Sequence, residues 1–266
     1  MNLQIGIPCG INSEKYTEHL IDNIDSTISK LLDYEFILGV TNPKVNINYL
    51  KKIKSKQKIK IIKNFFFLNF FKSGSIGHGI TLNLIYKNMS ADYGLIIDSD
   101  VAFLDNNWDK TFLKLLNNKI IIAGSEYDGN KYKNFPNAIC CFFDLKKLKK
   151  IKIDWMPVTF FNKLQIHRVR DSEEAFYGAS KNSKIYKDTG YKVFVNIKKN
   201  GFDGISFKLF RKNYKNKKFI NTEGEEYQIN QKPLFTHLGR SLTRNFDKDL
   251  NAIKWREGIK NWIKNK

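Results

Sequence analysis

The first 125 residues alternate between short apolar runs and stretches of helical periodicity, and this restricts the fold more than any other feature. Leu3–Pro8, Tyr34–Val40, Lys58–Lys63, Tyr93–Ile97 and Lys119–Gly124 read as strands. Between them, Ser13–Leu32 carries Tyr16, Leu20, Ile24, Ile28 and Leu31 at helical spacing. Val45–Ser55 reads as a short basic helix, Ile76–Met89 as a longer one, and Trp108, Phe112, Leu115 and Leu116 mark another. Strands that alternate with helices predict an α/β chain with a mostly parallel sheet flanked by helices.

The second half is less regular. Asn137–Asp144 and Tyr191–Ile197 read as strands, Phe160–Arg170 as loop, and Asp171–Lys187 as a helix with imperfect apolar spacing. Phe207–Phe219 is basic and aromatic without clear periodicity. No internal repeat or low-complexity linker divides the chain, so 1–245 reads as one domain with halves 1–125 and 126–245. Residues 246–266 form a basic amphipathic helix, with Phe246, Leu250, Ile253, Ile259, Trp262 and Ile263 near one face. Such a face suits either docking on the body or contact with an anionic membrane.

In sheets of this kind ligands bind beyond the carboxyl ends of the strands. Pro8, Thr41 and Asp98 stand at three such ends. Asp98-Ser99-Asp100 follows the Tyr93–Ile97 run directly. Strand side chains alternate, so positions i and i+2 share a face and both carboxylates could aim at one point. Two like charges so close favour a hard cation such as Mg²⁺ or Mn²⁺ between them. The plainer alternative is a solvated turn in which Asp serves turn chemistry.

Three further segments carry chemistry-bearing residues. Ser73-Gly74-Ser75-Ile76-Gly77-His78-Gly79 is glycine-rich and opens a helix, which suits phosphate binding or simply close helix packing. It is neither a P-loop nor a dinucleotide fingerprint. Asp171-Ser172-Glu173-Glu174 could supply a general base, or could cap a helix. His237 follows the apolar run Pro233-Leu234-Phe235-Thr236 and could complete a carboxylate metal site, or pack in the core.

The net charge of +20 favours anionic partners. Only six of the basic residues are Arg, the usual reader of phosphates and bases, so no specific nucleic-acid partner is expected. Three cysteines without metal-type spacing, and an N-terminus without a signal pattern, fit reduced thiols in a cytoplasmic protein, with the inner membrane face as a further location.

Together and in order, these features resemble a GT-A fold, nucleotide-sugar-dependent glycosyltransferase, most like family 2. The matching residues are Ile5-Gly6-Ile7-Pro8, Val40-Thr41-Asn42, Asp98-Ser99-Asp100 as the DXD element, and Asn134–Ala138 through Phe142-Phe143-Asp144. Asp171-Ser172-Glu173-Glu174 with Gly190-Tyr191-Lys192-Val193, and His237, complete the set. The family often has Asp-Asp or Asp-Gly-Ser after the second strand, where this chain has Thr41-Asn42-Pro43. The resemblance implies a Rossmann-like GT-A sheet with a less regular acceptor-side part, and Mn²⁺ or Mg²⁺ as cofactor. Asp100 and His237 would be metal ligands, with Asp98 on metal or ribose. Pro8, Thr41, Asn42, Gly77, His78 and Ser99 would line the nucleotide-sugar site, and Asp171 would be the base, with Glu174 as runner-up. It further implies inverting transfer to a glycan, lipid-linked or envelope saccharide in polysaccharide biosynthesis. A nucleotidyltransferase acting on a sugar phosphate is the rival enzyme reading, but the basic glycine-rich signature it requires near the first strand is missing from Pro8-Cys9-Gly10-Ile11-Asn12. A basic nucleic-acid-binding protein is the rival from another class.

Overall fold

A computed structural model describes residues 1–64, 74–126, 135–157, 166–168, 184–186, 189–210, 219–220, 222, 224–239 and 243–265. The expected strands of the first half form as β1 (Asn2–Cys9), β2 (Asp33–Val40), β3 (Ile59–Lys63), β4 (Tyr93–Ile97) and β6 (Ile120–Glu126). The helices between them are α1 (Glu14–Thr27), α2 (Ile47–Leu50), α3 (Gly74–Asn88) and α4 (Trp108–Leu115). A short strand, β5 (Val101–Phe103), follows β4. Later come β7 (Pro136–Asp144), α5 (Leu145–Leu148), β8 (Ile166–Arg168), β9 (Lys184–Tyr186) and α6 (Tyr191–Lys199). β10 (Asp203–Phe210), β11 (Glu225–Ile229), β12 (Lys232–His237) and α7 (Leu250–Lys264) complete the order.

One ten-stranded sheet runs β3-β2-β1-β4-β7-β6-β10-β11-β12-β5. From β3 to β10 every strand points the same way except β7, which is antiparallel to both of its neighbours. This is the mostly parallel α/β sheet expected from the sequence. β10, β11, β12 and β5 then pair antiparallel in succession.

The central strands are apolar on both sides because both faces are covered. Leu3, Ile5 and Ile7 of β1, with Phe36, Leu38 and Val40 of β2, pack in one layer with Leu20, Ile21 and Ile24 of α1 and Trp108 and Phe112 of α4. Ile37, Ile96, Ile122 and Phe143 face the other layer, with Leu82 and Ile85 of α3 and Val193, Phe194 and Ile197 of α6. α3 lies close to the sheet because Gly39 stands beneath it. A Cβ at Gly39 would sit 2.6 Å from Ile85 Cγ1.

The structure corrects several boundaries. α1 ends at Thr27 rather than Leu32, since Asn107 N–H donates to Thr27 O (2.7 Å) and both Ser29 N–H and its hydroxyl donate to buried Asp109. α2 is a single turn, capped by Asn46, and does not fill Val45–Ser55. Tyr191–Ile197 is not a strand but the helix α6. Its β-branched residues obey tertiary packing, with Val193, Phe194 and Ile197 buried on one face after Gly190 enters at φ +83°. The expected helix Asp171–Lys187 cannot reach its end, because Lys184–Tyr186 pairs antiparallel with β8. Residues 171–183 lie outside the described residues, as do 65–73, 127–134 and 211–218.

α7 docks on the body. Its buried side is Ala252, Trp255 and Ile259, packed with Tyr16, Ala102, Leu104 and Leu238. Leu250, expected on the apolar face, is exposed, so that face is centred differently from the sequence reading and is already covered. Among the described residues no helix is long and apolar enough to cross a membrane. Asp249 caps α7, accepting from Asn251 and Ala252 N–H. Trp255 Nε1–H donates to Thr236 Oγ1 (3.1 Å), tying the helix to β12.

Replacing Trp255, which is 0% exposed, with Ala removes a large packed ring and a hydrogen bond. The expected loss is about 3–5 kcal/mol of unfolding free energy in urea denaturation. A second prediction concerns His19 of α1, packed between the Trp255 and Phe246 rings at 5.5 and 6.1 Å. Burial, with Arg256 adding repulsion, lowers its pKa from 6.5 to about 4. The unfolded chain therefore binds this proton more readily. The contribution is fully present above pH 6.5 and is lost as pH falls towards 4. Urea midpoints measured across that window should fall on acidification, and His19→Phe should flatten the slope.

Candidate active site

β4 delivers the acidic element to the carboxyl edge of the sheet, but the strand stops at Ile97. Asp98, Ser99 and Asp100 form a turn, closed by Val101 N–H donating to Asp98 O (3.2 Å) and fixed by Asp98 N–H donating to Ile139 O (2.8 Å) of β7. The carboxylates therefore converge through turn geometry, not through strand alternation. The segment is a turn, as the plainer alternative had it, but Asp100 and Ser99 are buried in it and not solvated.

The turn reverses the chain into β5, and β5 recruits the distant histidine. β12 pairs antiparallel with β5, placing His237 opposite Val101, and Leu238 N–H donates to Asp100 O (2.9 Å). β12 is aimed by its two-residue hairpin with β11, in which Asn230 and Gln231 both have positive φ (48° and 63°). That is the backbone sign of a type I′ turn, whose twist matches that of the flanking strands.

As a result, one ligand atom each of Asp98, Asp100 and His237 lies within 4.8 Å of the others. Asp100 is buried, 3% exposed, and its Oδ1 stands 3.5 Å from His237 Nε2. Two oxygens on opposite sides of a Mg²⁺ at about 2.1 Å would be roughly 4 Å apart. Small side-chain adjustments would let these three groups share one ion. Two carboxylates and an imidazole are a donor set that suits Mg²⁺ or Mn²⁺. Burial alone would lower the pKa of His237, but Asp100 and Glu225 outweigh it and raise it to about 10. His237 must give up that proton to act as a ligand.

Among the other expected residues, His78 meets this centre directly. His78 of α3 places Nε2 3.0 Å from Asp98 Oδ1. Thr81 donates its hydroxyl proton to Gly77 O (2.8 Å), so in the 2.6 Å contact between the two hydroxyls Thr41 is the donor. That contact fastens the residue just after β2 to the middle of α3. Asn42 Oδ1 accepts from Lys44 N–H, holding the turn after β2. Pro8 sits near the end of β1, in register with Gly39. Ser99 is buried at the centre of the turn. Asp171 and Glu174 lie outside the described residues. Cys9, Cys140 and Cys141 are buried thiols, and burial pushes the Cys140 and Cys141 thiols well up.

Glu225 was not anticipated. It is the register partner of His237 across the β11–β12 hairpin, and its Oε2 lies 3.1 Å from His237 Nδ1. Two short apolar-polar runs around Asn230-Gln231 were the available hairpin signal.

No family model and no curated protein sequence matches the chain. Solved structures match it in part. The mannosyltransferase PcManGT from Pyrobaculum calidifontis, in complex with GDP-Man and Mn²⁺, is 10% identical, with TM-score 0.44 over 56% of this chain and 46% of that one. S. aureus TarS 1–349 in complex with UDP-GlcNAc is 15% identical, with TM-score 0.41 over 56% and 47%. The galactosyltransferase LgtC with donor and acceptor sugar analogues is 15% identical, with TM-score 0.41 over 55% and 59%. The match thus spans about half the length of these proteins.

If the three side chains hold one cation, each is needed. Mn²⁺ binding followed by electron paramagnetic resonance should be lost, by about 100-fold or more, in Asp100→Ala and in His237→Ala.

Proposed function

We propose that this chain is a metal-dependent glycosyltransferase that moves a sugar from a nucleotide-diphosphate sugar to an acceptor hydroxyl. The observation that carries the reading is the Asp98–Asp100–His237 cluster at the carboxyl edge of β4, where an open α/β sheet binds ligands. A bound Mn²⁺ or Mg²⁺ would supply charge stabilisation to the departing nucleoside diphosphate. Asp100 and His237 would hold that ion, and Asp98 would contact either the ion or the ribose. His78, beside Asp98 at the start of α3, faces the donor. Pro8, Thr41, Asn42, Gly77 and Ser99 line the nucleotide-sugar pocket. In this proposal Thr41 acts chiefly by fixing the β2–α3 junction, since its hydroxyl proton is engaged by Thr81.

The remaining steps rest on the resemblance of the sequence. Asp171 takes the proton of the acceptor hydroxyl, with Glu174 as the alternative, and the sugar inverts at its anomeric carbon. The acceptor is a glycan, lipid-linked or envelope saccharide in polysaccharide biosynthesis. Residues 1–125 hold the donor and 126–245 the acceptor, in a cytoplasmic protein.

Calorimetric titration of UDP and GDP, with and without Mn²⁺, tests the reading. One nucleotide should bind only with the metal, and Asp100→Ala should abolish that binding. No binding of either nucleotide to folded wild-type protein in Mn²⁺ would sink the proposal. With a donor in hand, Asp171→Asn should lower turnover by about 100- to 10,000-fold and leave nucleotide binding intact. If Glu174→Gln does so instead, the base is reassigned.

A further inference from the structure

We infer that Glu225 is the positioning residue of the metal site: it fixes the ring of His237 so that Nε2 faces the two carboxylates. The inference rests on the reading of Asp98, Asp100 and His237 as a metal-binding set. Glu225 Oε2 is 3.1 Å from His237 Nδ1, on one side of the ring. Nε2, on the other side, is 3.5 Å from Asp100 Oδ1. A neutral imidazole carries one N–H and one lone pair. A carboxylate facing Nδ1 holds the N–H there and leaves the Nε2 lone pair directed into the cluster. Without that anchor the ring would be freer to rotate, and each binding event would have to order it again.

Glu225 is itself held at both its ends. The Tyr227 hydroxyl, two residues along the same strand, donates to the same Oε2 at 3.0 Å. Tyr227 is buried and stacked on Phe235, with ring centroids 4.6 Å apart. On the main chain, Glu225 O accepts from Thr236 Oγ1 (2.9 Å), which in turn accepts from Trp255 Nε1 (3.1 Å). Glu225 and His237 are opposite residues of one hairpin, so strand register sets their separation. A change of one residue in that register would leave the two side chains on opposite faces of the sheet.

The test separates reach from charge. Glu225→Gln keeps the reach and an oxygen acceptor but loses the charge. Glu225→Asp keeps the charge but is one methylene shorter. Mn²⁺ dissociation constants are measured by electron paramagnetic resonance on full-length protein without nucleotide, alongside urea midpoints. Positioning predicts that Gln stays within about threefold of wild type, while Asp and Ala weaken binding by about 10- to 100-fold with urea midpoints retained. The reverse order, with Asp retaining affinity and Gln losing it, overturns the inference, since Glu225 would then act through its charge. Wild-type affinity in all three variants, or affinity lost only in step with stability, also overturns it. Wild-type protein that binds no Mn²⁺, or binding unchanged in Asp100→Ala, overturns the metal reading itself, and the inference falls with it.

Discussion

The pairing of β12 with β5 is the interaction on which the candidate site depends. β5 is three residues long and begins immediately after the acidic turn. A strand that short gains little on its own and needs a partner for its edge. β12 supplies one, and Leu238 N–H extends the pairing to the carbonyl of Asp100 itself. The same contact therefore closes the sheet and brings a residue 137 positions away in sequence (237 − 100) beside the carboxylate. The site is a by-product of how the sheet ends.

The electrostatics follow from that closure. Asp100 is buried, and a buried carboxylate is costly unless it is paired. Asp98 stands beside it with the same charge. His237 and His78 each face one of the two, at 3.5 and 3.0 Å. In the absence of a cation the cluster is balanced by holding a proton on His237, whose pKa rises to about 10 despite burial. A divalent ion shared by the three groups would relieve the same repulsion as that proton. Exposed lysines such as Lys15 and Lys146 pair instead with Asp247 and Asp92 at the surface.

Legibility in the sequence followed the range of the interactions. Central strands of the first half such as β1 and β4 were readable because they are buried on both faces, so the apolar run is continuous, while the edge strand β3 was readable by alternation. Asp98 and Asp100 were readable because they abut such a run. His237 could be flagged only as one histidine after an apolar stretch, since its partner strand is set by long-range pairing. Glu225 was invisible for the same reason: only the hairpin register makes it a neighbour of His237. α6 was misread because Tyr191, Val193, Val195 and Ile197 alternate like a strand. The burial of Val193, Phe194 and Ile197 on one helical face outweighs that local preference. The expected convergence of Asp98 and Asp100 held for a different reason from the one the pattern offered, namely a turn.

The C-terminal helix belongs to the same structure rather than hanging from it. Trp255 sits behind β12 and donates to Thr236, and Thr236 donates to the carbonyl of Glu225. Thr236 and Glu226 are register partners one step from the His237–Glu225 pair. Glu226, fully buried, accepts from the N–H groups of Phe219 and Ile220. Trp262 Nε1–H reaches Leu104 O, just beyond β5. The helix thus braces both members of the β5–β12 pair from one side. The apolar face of α7 is buried in this brace. Because packed interiors transmit displacement instead of absorbing it, the position of His237 depends on α7 as well as on the strand that carries it.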